Sequence, residues 1–364
     1  MNSKQRFKKL LRREIPDRVP RDYWAVPEID KRLIKHYGLS TREDILDKFD
    51  IDFRYIDGPR YIGPPLAVHG DGSEDDLWGV PRKTMITGDG EFQGSYKAVT
   101  MHPLKDCKTV EDVLKYPRWP SPDWYDYTPI AEQCEACGDR VVMFMGDRLN
   151  RIAQLKPAMY LRGVDQILID MRRKNNEIFV AVRDKIREFY CEYLRRILQA
   201  AKGKIDVIVT GDDFGTQNGL FCQVDVWRKN LMHGFKEFIQ ISKAAGVPVM
   251  HHSCGSIRPI IGDMIECGLD ILNPVQPLVY DMDHAALKSE FGGRIVFHGG
   301  VSLQGPLRFG TPAEVDREVA VLCKETLGRG GGYIICTAHN IQADTRIENV
   351  VALFEAYDRH SSYE

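Results

Sequence analysis

The residues best suited to chemistry lie at the end of a short apolar run, residues 247–255, VPVMHHSCG. Apolar residues lead into His252 and Cys254, and a glycine then interrupts the run, which is typical of a buried strand that ends at a functional edge. Side chains two residues apart in a strand point to the same face. Imidazole and thiolate are ligands that zinc prefers. The stretch therefore predicts two zinc ligands, and a third is needed.

Cys336 follows another apolar run, GGGYIIC, and is the candidate for the third ligand. It lies so far from Cys254 in the sequence that a local zinc knuckle is excluded and the fold must bring the ligands together. Such a spread favours a catalytic metal with an open position over a structural one. The alternative is that both cysteines pack as small apolar core residues while His252 is merely hydrogen bonded.

Two adjacent carboxylates follow the strand-like residues 205–210, within the sequence GDDFGTQ. In an extended segment at most one of Asp212 and Asp213 faces a pocket, and the other orders a loop or caps the following helix. The carboxylate in the pocket would act as a general base, accept a substrate hydroxyl or orient a metal-bound histidine. A purely structural role explains the pattern equally well.

Other polar residues come just after predicted strands. His298 and His339 are candidate catalytic residues, because each could contact substrate or orient a ligand. A satisfied structural histidine is the alternative for each of them. Candidate substrate contacts at the same strand ends are Asp147, Gln276 and Asn340.

Aromatic and basic residues cluster on or after the first two predicted strands and are candidates for substrate binding: Tyr23, Trp24, Arg60 and Tyr61. Together they would wall a pocket for a flat ligand that carries a polar group. Simple packing of a loop on the barrel is the more ordinary explanation.

The elements that must position these residues alternate between strands and helices. Eight strands are predicted, each followed by a helix or by an insertion that contains one, and this order predicts a (β/α)8 TIM barrel in a single domain over residues 1–364. A doubly wound sheet would need a glycine-rich phosphate turn after the first strand, and the sequence has none. The predicted strands are residues 18–24, 49–56, 140–145, 205–210, 247–255, 269–272, 294–297 and 330–336.

Two segments depart from this alternation. The N-terminal residues predict a charged amphipathic helix that extends the barrel. Residues 57–119 are rich in glycine, proline and aromatic residues with short alternating stretches, which predicts an antiparallel insertion or lid. The pair Ser40 and Glu43 predicts a capping box before the helix that ends near Lys48. In a barrel, the residues after the strands form one ring around one pocket.

The composition excludes several classes of protein. Lysine and arginine number 50 against 52 aspartates and glutamates, so no global field would hold nucleic acid or an anionic membrane. No apolar run approaches the ~20 residues that span a bilayer, and the N-terminus lacks a signal-peptide core. The cysteines number nine and are scattered, unlike a secreted disulfide framework. We therefore expect a cytoplasmic protein with reduced thiols.

Nearly the whole chain resembles the uroporphyrinogen decarboxylase-like superfamily, which contains the decarboxylase itself and zinc-dependent, corrinoid-linked methyltransferases. The resemblance is carried by IPDRVPRDYW, GDDFGTQ, HSCGSIRPIIGDMIECGLDILNPVQP, FHGGVSLQGPLRFGTPAEV and GGGYIICTAHNIQADTRIENVVALFEA. It implies a (β/α)8 barrel. In the methyltransferases that this chain resembles, an HxC after strand five and a Cys after strand eight are zinc ligands, and the matching positions here are His252, Cys254 and Cys336.

The motifs also separate the branches of the superfamily. The decarboxylase needs no metal, and its arginine-rich RQAGR motif is absent here, which argues against a polycarboxylated tetrapyrrole as substrate. Enzymes that methylate the thiol of coenzyme M have a final motif closer to APGCG than to the IICTAHNIQ found here. The chain is more similar to the branch with DDFGTQ and HNIQ, some members of which are first methyltransferases in the O-demethylation of methoxylated aromatics.

The resemblance therefore implies a zinc-dependent methyltransferase that moves a methyl group between a small substrate, preferably a methoxylated aromatic, and the cobalt of a corrinoid. Because the chain has no DxHxxG motif for binding a corrinoid, the corrinoid is expected on a partner protein. The alternatives are a methylcobalamin:thiol methyltransferase, a metal-free decarboxylase and a non-catalytic protein that binds a corrinoid or tetrapyrrole. A homodimer is consistent with the superfamily.

Overall fold

The computed structural model describes residues 1–146 and 151–363. In this part of the chain, strands that follow one another along the sequence lie side by side in one parallel sheet. Helices connect them, as parallel pairing requires. The strands of this sheet are Phe53–Ile56, Val141–Phe144, Val207–Gly211, Val249–His252, Ile271–Asn273, Val296–Val301 and Tyr333–Thr337.

The predicted first strand is an extended segment that lies between the last strand of this sheet and its first. On one side, the backbone N–H of Asp22 donates to the carbonyl of Ile335, whose own N–H donates to the carbonyl of Pro20, both over 2.9 Å. On the other side, the N–H of Asp52 donates to the carbonyl of Arg21, also over 2.9 Å. The ladder is short because Pro20 has no N–H. This segment closes the sheet, and the predicted (β/α)8 barrel is confirmed.

Helices cover the outside of the barrel. The longest, Glu177–Ala201, buries Phe179, Val182 and Ile186, whose spacing of three to four residues forms one apolar face. Every helix of the described residues is too short or too polar to cross a lipid bilayer. The helices are Ser3–Leu11, Pro27–Tyr37, Arg42–Lys48, Val110–Leu114, Ile130–Ala136, Leu155–Arg162, Val164–Arg172, Glu177–Ala201, Val224–Asn230, Met232–Ala244, Arg258–Glu266, His284–Phe291, Pro306–Phe309, Pro312–Ala320 and Ile347–His360, with a π-helical turn at Val321–Glu325 and 3-10 turns at Gly90–Phe92 and Pro122–Trp124.

The capping box predicted before the third helix lies one residue further along the chain. Thr41 caps the helix by accepting the N–H of Asp44, whose side chain accepts the N–H of Thr41. Glu43 instead forms an ion pair with the buried Arg54. The prediction with Ser40 and Glu43 was therefore wrong by one residue, because both pairs have the same spacing and the partner of Glu43 lies outside the helix.

The insertion after the strand Phe53–Ile56 forms an antiparallel sheet from Glu74–Asp75, Pro81–Thr87 and Gly94–Val99, so the predicted antiparallel insertion is confirmed. Trp78 anchors it to the helical layer, because its ring is fully buried and packs at a tilt against the ring of Tyr190, with the centroids 5.5 Å apart. A further short pair joins Arg60–Tyr61 to Tyr125–Asp126, just beyond the predicted limit of the insertion.

Alternate residues of each barrel strand belong to two different cores. Val207 and Val209 face the barrel interior, whereas Ile208 between them packs under the helices. Met250 also faces the interior, so His252, two residues on, points to the same face at the mouth of the barrel. His251 points outward and stacks on Phe214 with ring centroids 5.3 Å apart. The strand period thus separates the two adjacent histidines.

Candidate metal centre

Two histidines and a cysteine meet at the carboxyl ends of the strands. The ligand atoms of His252, Cys254 and His339 all lie within 4.8 Å of one another. His252 Nε2 is 3.4 Å from Cys254 Sγ. His252 ends the strand Val249–His252, and His339 lies just beyond the strand Tyr333–Thr337. Two imidazoles and one thiol are a donor set that fits zinc and leaves a fourth position open.

Cys336 lies in a separate group. Its Sγ is within 4.8 Å of ligand atoms of Asp22 and His298, and all three residues are buried in the barrel. Burial raises the pKa of the Cys336 thiol well above its ordinary value, and Asp22 acts in the same direction. Among the described residues, the predicted ligands are thus divided: His252 and Cys254 lie beside His339, and Cys336 lies beside Asp22 and His298.

A buried chain of hydrogen bonds connects the two groups. His252 Nδ1 is 2.6 Å from Asn273 Oδ1, Asn273 Nδ2 is 2.6 Å from His298 Nδ1, and His298 Nε2 is 2.9 Å from Asp22 Oδ2. In this arrangement Asn273 Oδ1 accepts a hydrogen bond from His252 Nδ1–H, Asn273 Nδ2 donates to His298 Nδ1, and His298 Nε2–H donates to Asp22. The lone pair of His252 Nε2 therefore faces Cys254, as metal binding requires.

Trp24 covers the inner side of this chain of hydrogen bonds. Its indole N–H donates to the Tyr55 hydroxyl over 2.8 Å, and Tyr55 donates to Asp22 over 2.6 Å. The Trp24 ring lies 5.9 Å from the ring of His252 and 5.5 Å from that of His298, centroid to centroid. Trp24 is buried, so it supports the histidines from within the barrel.

Asp213 lies beside the candidate ligands. Its Oδ1 accepts the backbone N–H of Cys254 over 3.1 Å and is 3.6 Å from His252 Nε2, and its Oδ2 accepts from Lys156 Nζ over 2.6 Å. Burial acts to raise the pKa of the Asp213 carboxyl, but the Lys156 ammonium, His252 and the hydrogen bonds that the carboxylate accepts together outweigh burial and hold this pKa well below its usual range. Burial likewise acts to lower the pKa of Lys156, but Asp213 together with Tyr160 more than offsets burial, so this pKa is raised. Both groups are therefore charged at neutral pH.

Asp212 orders a helix start. Its carboxylate accepts the backbone N–H groups of residues 154–156 at 2.7 to 3.0 Å, at the beginning of the helix Leu155–Arg162. Burial raises the pKa of Asp212 to about 6, although these donors act against the rise. Asp213 faces the candidate ligands and Asp212 caps a helix. The sequence predicted that this second carboxylate would order a loop or cap the following helix, but the capped helix is the preceding one.

The two best-placed ligands have opposite proton preferences. Burial lowers the pKa of His252 well below its ordinary value, and the Arg151 cation adds to the effect. Burial, together with Asp213, raises the pKa of Cys254 to about 12. The imidazole is therefore neutral, while the thiol keeps its proton until a cation displaces it.

Two cavities flank the centre, and His339 lines both. The first, of about 490 Å³, reaches Cys254 and is lined mainly by neutral polar side chains, including Thr216, Gln217, Gln276, Ser302, Gln304 and Gln342. The second, of about 620 Å³, reaches His252 and Asp213, and its other lining residues include Arg82, Tyr96, Lys97, Arg151, Lys156 and Tyr160. The predicted substrate contact Gln276 also accepts the N–H of Gly255 over 2.9 Å.

Three predicted substrate residues lie away from the centre. Tyr23 is buried among the helices and donates to Asp30 over 2.8 Å. Arg60 is exposed and pairs with Asp126 at 2.8 Å. Tyr61 donates to a neighbouring backbone carbonyl over 2.7 Å. Tyr23 thus contacts the helix Pro27–Tyr37, and Arg60 and Tyr61 contact residues in or next to the insertion, which corrects the prediction of a substrate wall.

Two further predictions concern strand ends. The backbone carbonyl of Asn340 accepts the side-chain amide of Gln342 over 2.7 Å, so Asn340 orders the loop after the last strand. Asp147 lies outside the described residues. Sequence reasoning missed Lys156 and Arg82, because the first lies on a helix and the second on the insertion. Asn273 stands at a strand end, which was the available signal.

The fold and the site define an α/β-barrel protein with a candidate metal centre at the carboxyl ends of its strands. The chain belongs to the uroporphyrinogen decarboxylase (URO-D) family, whose model matches residues 153–360, more than half of its length. The predicted resemblance to that superfamily is thus confirmed. No curated protein matches the chain.

One of three similar solved structures supports the fold. A methyltransferase from Methanosarcina mazei is 18% identical with a TM-score of 0.64, and the match covers 99% of both chains. Two others are more distant: 3-keto-L-gulonate-6-phosphate decarboxylase from Vibrio cholerae O1 biovar El Tor, with 8% identity, a TM-score of 0.30 and coverage of 63% of this chain and 78% of that one; and Dispersin B, with 11% identity, a TM-score of 0.41 and coverage of 93% and 95%.

Proposed function

We propose that this protein is a zinc-dependent methyltransferase that moves a methyl group between a small substrate and the cobalt of a corrinoid carried by a partner protein. The grouping of His252, Cys254 and His339 beside two cavities carries the proposal. Membership in the URO-D family and the similarity in fold to the methyltransferase from Methanosarcina mazei support it. The favoured reaction is O-demethylation of a methoxylated aromatic in the cytoplasm.

His252, Cys254 and His339 would hold the zinc, and Cys336 is the third ligand that the family resemblance implies in place of His339. When bound, zinc would supply Lewis acidity toward the oxygen or sulfur atom that carries or accepts the methyl group. Asn273 keeps the lone pair of His252 Nε2 directed at the ligand group.

Asp213 and Lys156 would also have roles in this site. Asp213 fixes the backbone of Cys254 and holds Lys156 in place through two different carboxylate oxygens. The Lys156 ammonium lines the larger cavity and, with its raised pKa, keeps a proton available for the oxygen that loses its methyl group. Trp24 closes the inner side of His252 against water.

The corrinoid would arrive on a separate protein docked over the barrel mouth, because the sequence lacks a corrinoid-binding DxHxxG motif. The two cavities give a substrate and a methyl acceptor different approaches to the same centre. A second copy of the chain is also an expected partner from the family resemblance.

Metal analysis tests the proposal. Protein purified without chelator should contain about one zinc per chain, and His252→Ala or Cys254→Ser should lose it. His339→Ala and Cys336→Ser identify the third ligand: the true ligand loses zinc and the other variant keeps it. Cys222→Ser, a half-buried thiol away from the centre, is the matched control. Full zinc in both the His252 and Cys254 variants would refute the site.

A metal-free decarboxylase is the second candidate, because the larger cavity is lined by Arg82, Arg151 and Lys156 and so fits a carboxylated substrate. It predicts carbon dioxide release by metal-free protein. The two functions are separated by assaying zinc-loaded and zinc-free protein for demethylation of anisole derivatives with added reduced cobalamin, for methylation of a thiol by methylcobalamin, and for decarboxylation of uroporphyrinogen. A protein that only binds a corrinoid would show none of these activities.

A further inference from the structure

The larger cavity lies between the barrel mouth and the antiparallel insertion. Strand Pro81–Thr87 contributes Arg82 and strand Gly94–Val99 contributes Tyr96 and Lys97. The charged groups among its described lining residues are Arg82, Lys97, Arg151, Lys156 and Asp213. Cations therefore outnumber anions on the wall that faces His252.

Arg82 has an unmet hydrogen-bonding requirement in this wall. The residue is 4% exposed, and its Nε donates to the buried Asp76 over 2.8 Å. Its buried Nη2 has no hydrogen-bond partner among the described residues. Its guanidinium carbon lies over the Tyr160 ring, 4.3 Å from the ring centroid, so the group packs against an aromatic side chain. Leaving a buried guanidinium N–H unpaired is costly, so an acceptor is expected from a ligand.

The charge of the wall favours a monoanion. Arg82 is already paired with Asp76, Lys156 with Asp213 at 2.6 Å and Lys97 with Glu74 at 3.0 Å. The net positive charge is therefore small, which suits a carboxylate better than a dianionic phosphate. A guanidinium edge matches the planar geometry of a carboxylate, and the nearby tyrosine rings suit a flat ligand.

We propose that this cavity is a carboxylate subsite, in which Arg82 Nη2 donates to an oxygen of a substrate that carries its methyl group at the opposite end. His252 and His339 line the same cavity and would face that methyl-bearing end. The inference rests on the proposed function and narrows its substrates to methylated organic monocarboxylates.

Calorimetric titration of the full-length, zinc-loaded protein tests the subsite with two probes of equal shape, 4-methoxybenzoate and neutral 4-methoxybenzamide. We expect the benzoate to bind about tenfold more tightly, because the amide offers Arg82 only a neutral acceptor in place of a charged one. Arg82→Lys keeps the charge opposite Asp76 and should weaken benzoate binding to the level of the amide. Lys83→Gln, an exposed cation next along the same strand, is the matched control and should bind like the native protein.

Equal affinity of the native protein for both probes would overturn the subsite, and this comparison needs no variant to fold. Native benzoate affinity in a folded Arg82→Lys protein would overturn it as well. The same titrations on Cys254→Ser protein separate the two proposals. A preserved preference for benzoate without zinc supports the subsite even if the methyltransferase proposal fails, whereas zinc binding without any preference rejects the subsite alone.

Discussion

Asn273 determines which nitrogen of His252 can bind a metal. The amide is fully buried and contacts both His252 and His298, so turning it would reverse both hydrogen bonds and place a proton on His252 Nε2. We predict that Asn273→Leu, similar in size but unable to hydrogen bond, weakens zinc affinity by about 10- to 100-fold. Competition with a chromogenic chelator measures the change.

Asn218→Ala is the control for this prediction, because Asn218 is exposed on a loop after the strand Val207–Gly211. Circular dichroism must show that the leucine variant is folded before its affinity is compared. Native zinc affinity in that variant would mean that the hydrogen bond to His252 has no part in metal binding.

The protonation of the Cys254 thiol determines how the metal affinity should depend on pH. Burial and Asp213 raise the pKa of this thiol to about 12, so the thiol is protonated at neutral pH. The pKa of His252 is lowered, so this imidazole is already neutral. Zinc must therefore displace one proton, from Cys254, and its apparent affinity should rise about tenfold per pH unit between pH 6 and 8. Calorimetry in buffers of different ionisation enthalpy counts the proton released. Zinc affinity independent of pH would show that Cys254 is no ligand.

The sequence predicted the face of a strand to which a side chain points, but not its height along the barrel axis. The period of two correctly placed His252 on the interior face and His251 outside it. Cys336 is also interior, but it lies within the strand Tyr333–Thr337, whereas His339 lies beyond its end at the mouth. Height along a barrel depends on the register of all the strands, which no local pattern contains. Arg82 reaches the cavity from the insertion, so its role follows from tertiary packing alone.

Glu318, on the helix Pro312–Ala320, couples stability to pH. Its Oε1 accepts the N–H of Ser302 over 2.9 Å, and its buried Oε2 has no partner among the described residues. Burial raises the pKa of Glu318 from its ordinary value of 4.5 to about 7, although the hydrogen bond from Ser302 acts to lower it. As the pH rises from about 4.5 to 7 the unfolded chain loses this proton first, so stability falls, by up to about 3 kcal/mol, and stays level above pH 7.

Glu318→Gln should remove this decrease, because the amide stays neutral at every pH. Urea unfolding at pH 5 and pH 8 measures it, and Glu325→Gln, an exposed glutamate seven positions along the chain, is the control. An unchanged difference in unfolding free energy between the two pH values in Glu318→Gln would contradict the assignment.

The N-terminal cap of the helix Arg42–Lys48 should contribute measurably to stability. Thr41 caps the helix with its side chain, whereas Ser40 contributes its backbone N–H to Asp44. Thr41→Ala should lower the free energy of unfolding by about 1 kcal/mol, and Ser40→Ala should cost much less. Chemical denaturation of the two variants in parallel checks this, and equal losses would argue against the observed cap.

Helices and strands were predictable where the local sequence contained all the signals that define them. The limits of the helix Pro27–Tyr37 can be read from the sequence itself, since proline starts the helix and Gly38 ends it in a left-handed conformation. The first strand was recognised as extended, but its ladder is reduced by Pro20 and by its position between two strands that are distant in sequence. The capping box was misplaced because two overlapping pairs satisfy the same spacing.

At the scale of the molecule, the N-terminal extension closes the amino-terminal end of the barrel. Phe7 and Leu10 of the first helix belong to the interior core of the barrel. Arg6 of the same helix donates to the buried Asp52 over 2.6 Å. The sequence predicted a charged amphipathic helix and eight strands, but it did not predict that this helix covers the barrel, because the contacts join residues remote in sequence.

Asp52 connects the parts that close the barrel. Its fully buried carboxylate accepts from Arg6, from Arg18 over 2.7 Å and from the backbone N–H of Arg21 over 2.7 Å. Asp52→Asn removes the charge that compensates two nearly buried guanidinium groups, and breaking such a pair costs about 3 kcal/mol.

Thermal unfolding of Asp52→Asn should therefore occur at a clearly lower temperature than in the native protein. Asp50→Asn is the control, because Asp50 binds Arg18 and Arg140 from a largely exposed position and screened pairs contribute little. If closure by the N-terminal segment stabilises the barrel as a whole, Asp52→Asn should also speed hydrogen exchange in the strands Phe53–Ile56 and Tyr333–Thr337, on either side of the segment. Faster exchange confined to the first helix would mean that this helix is an appendage and the barrel closes without it.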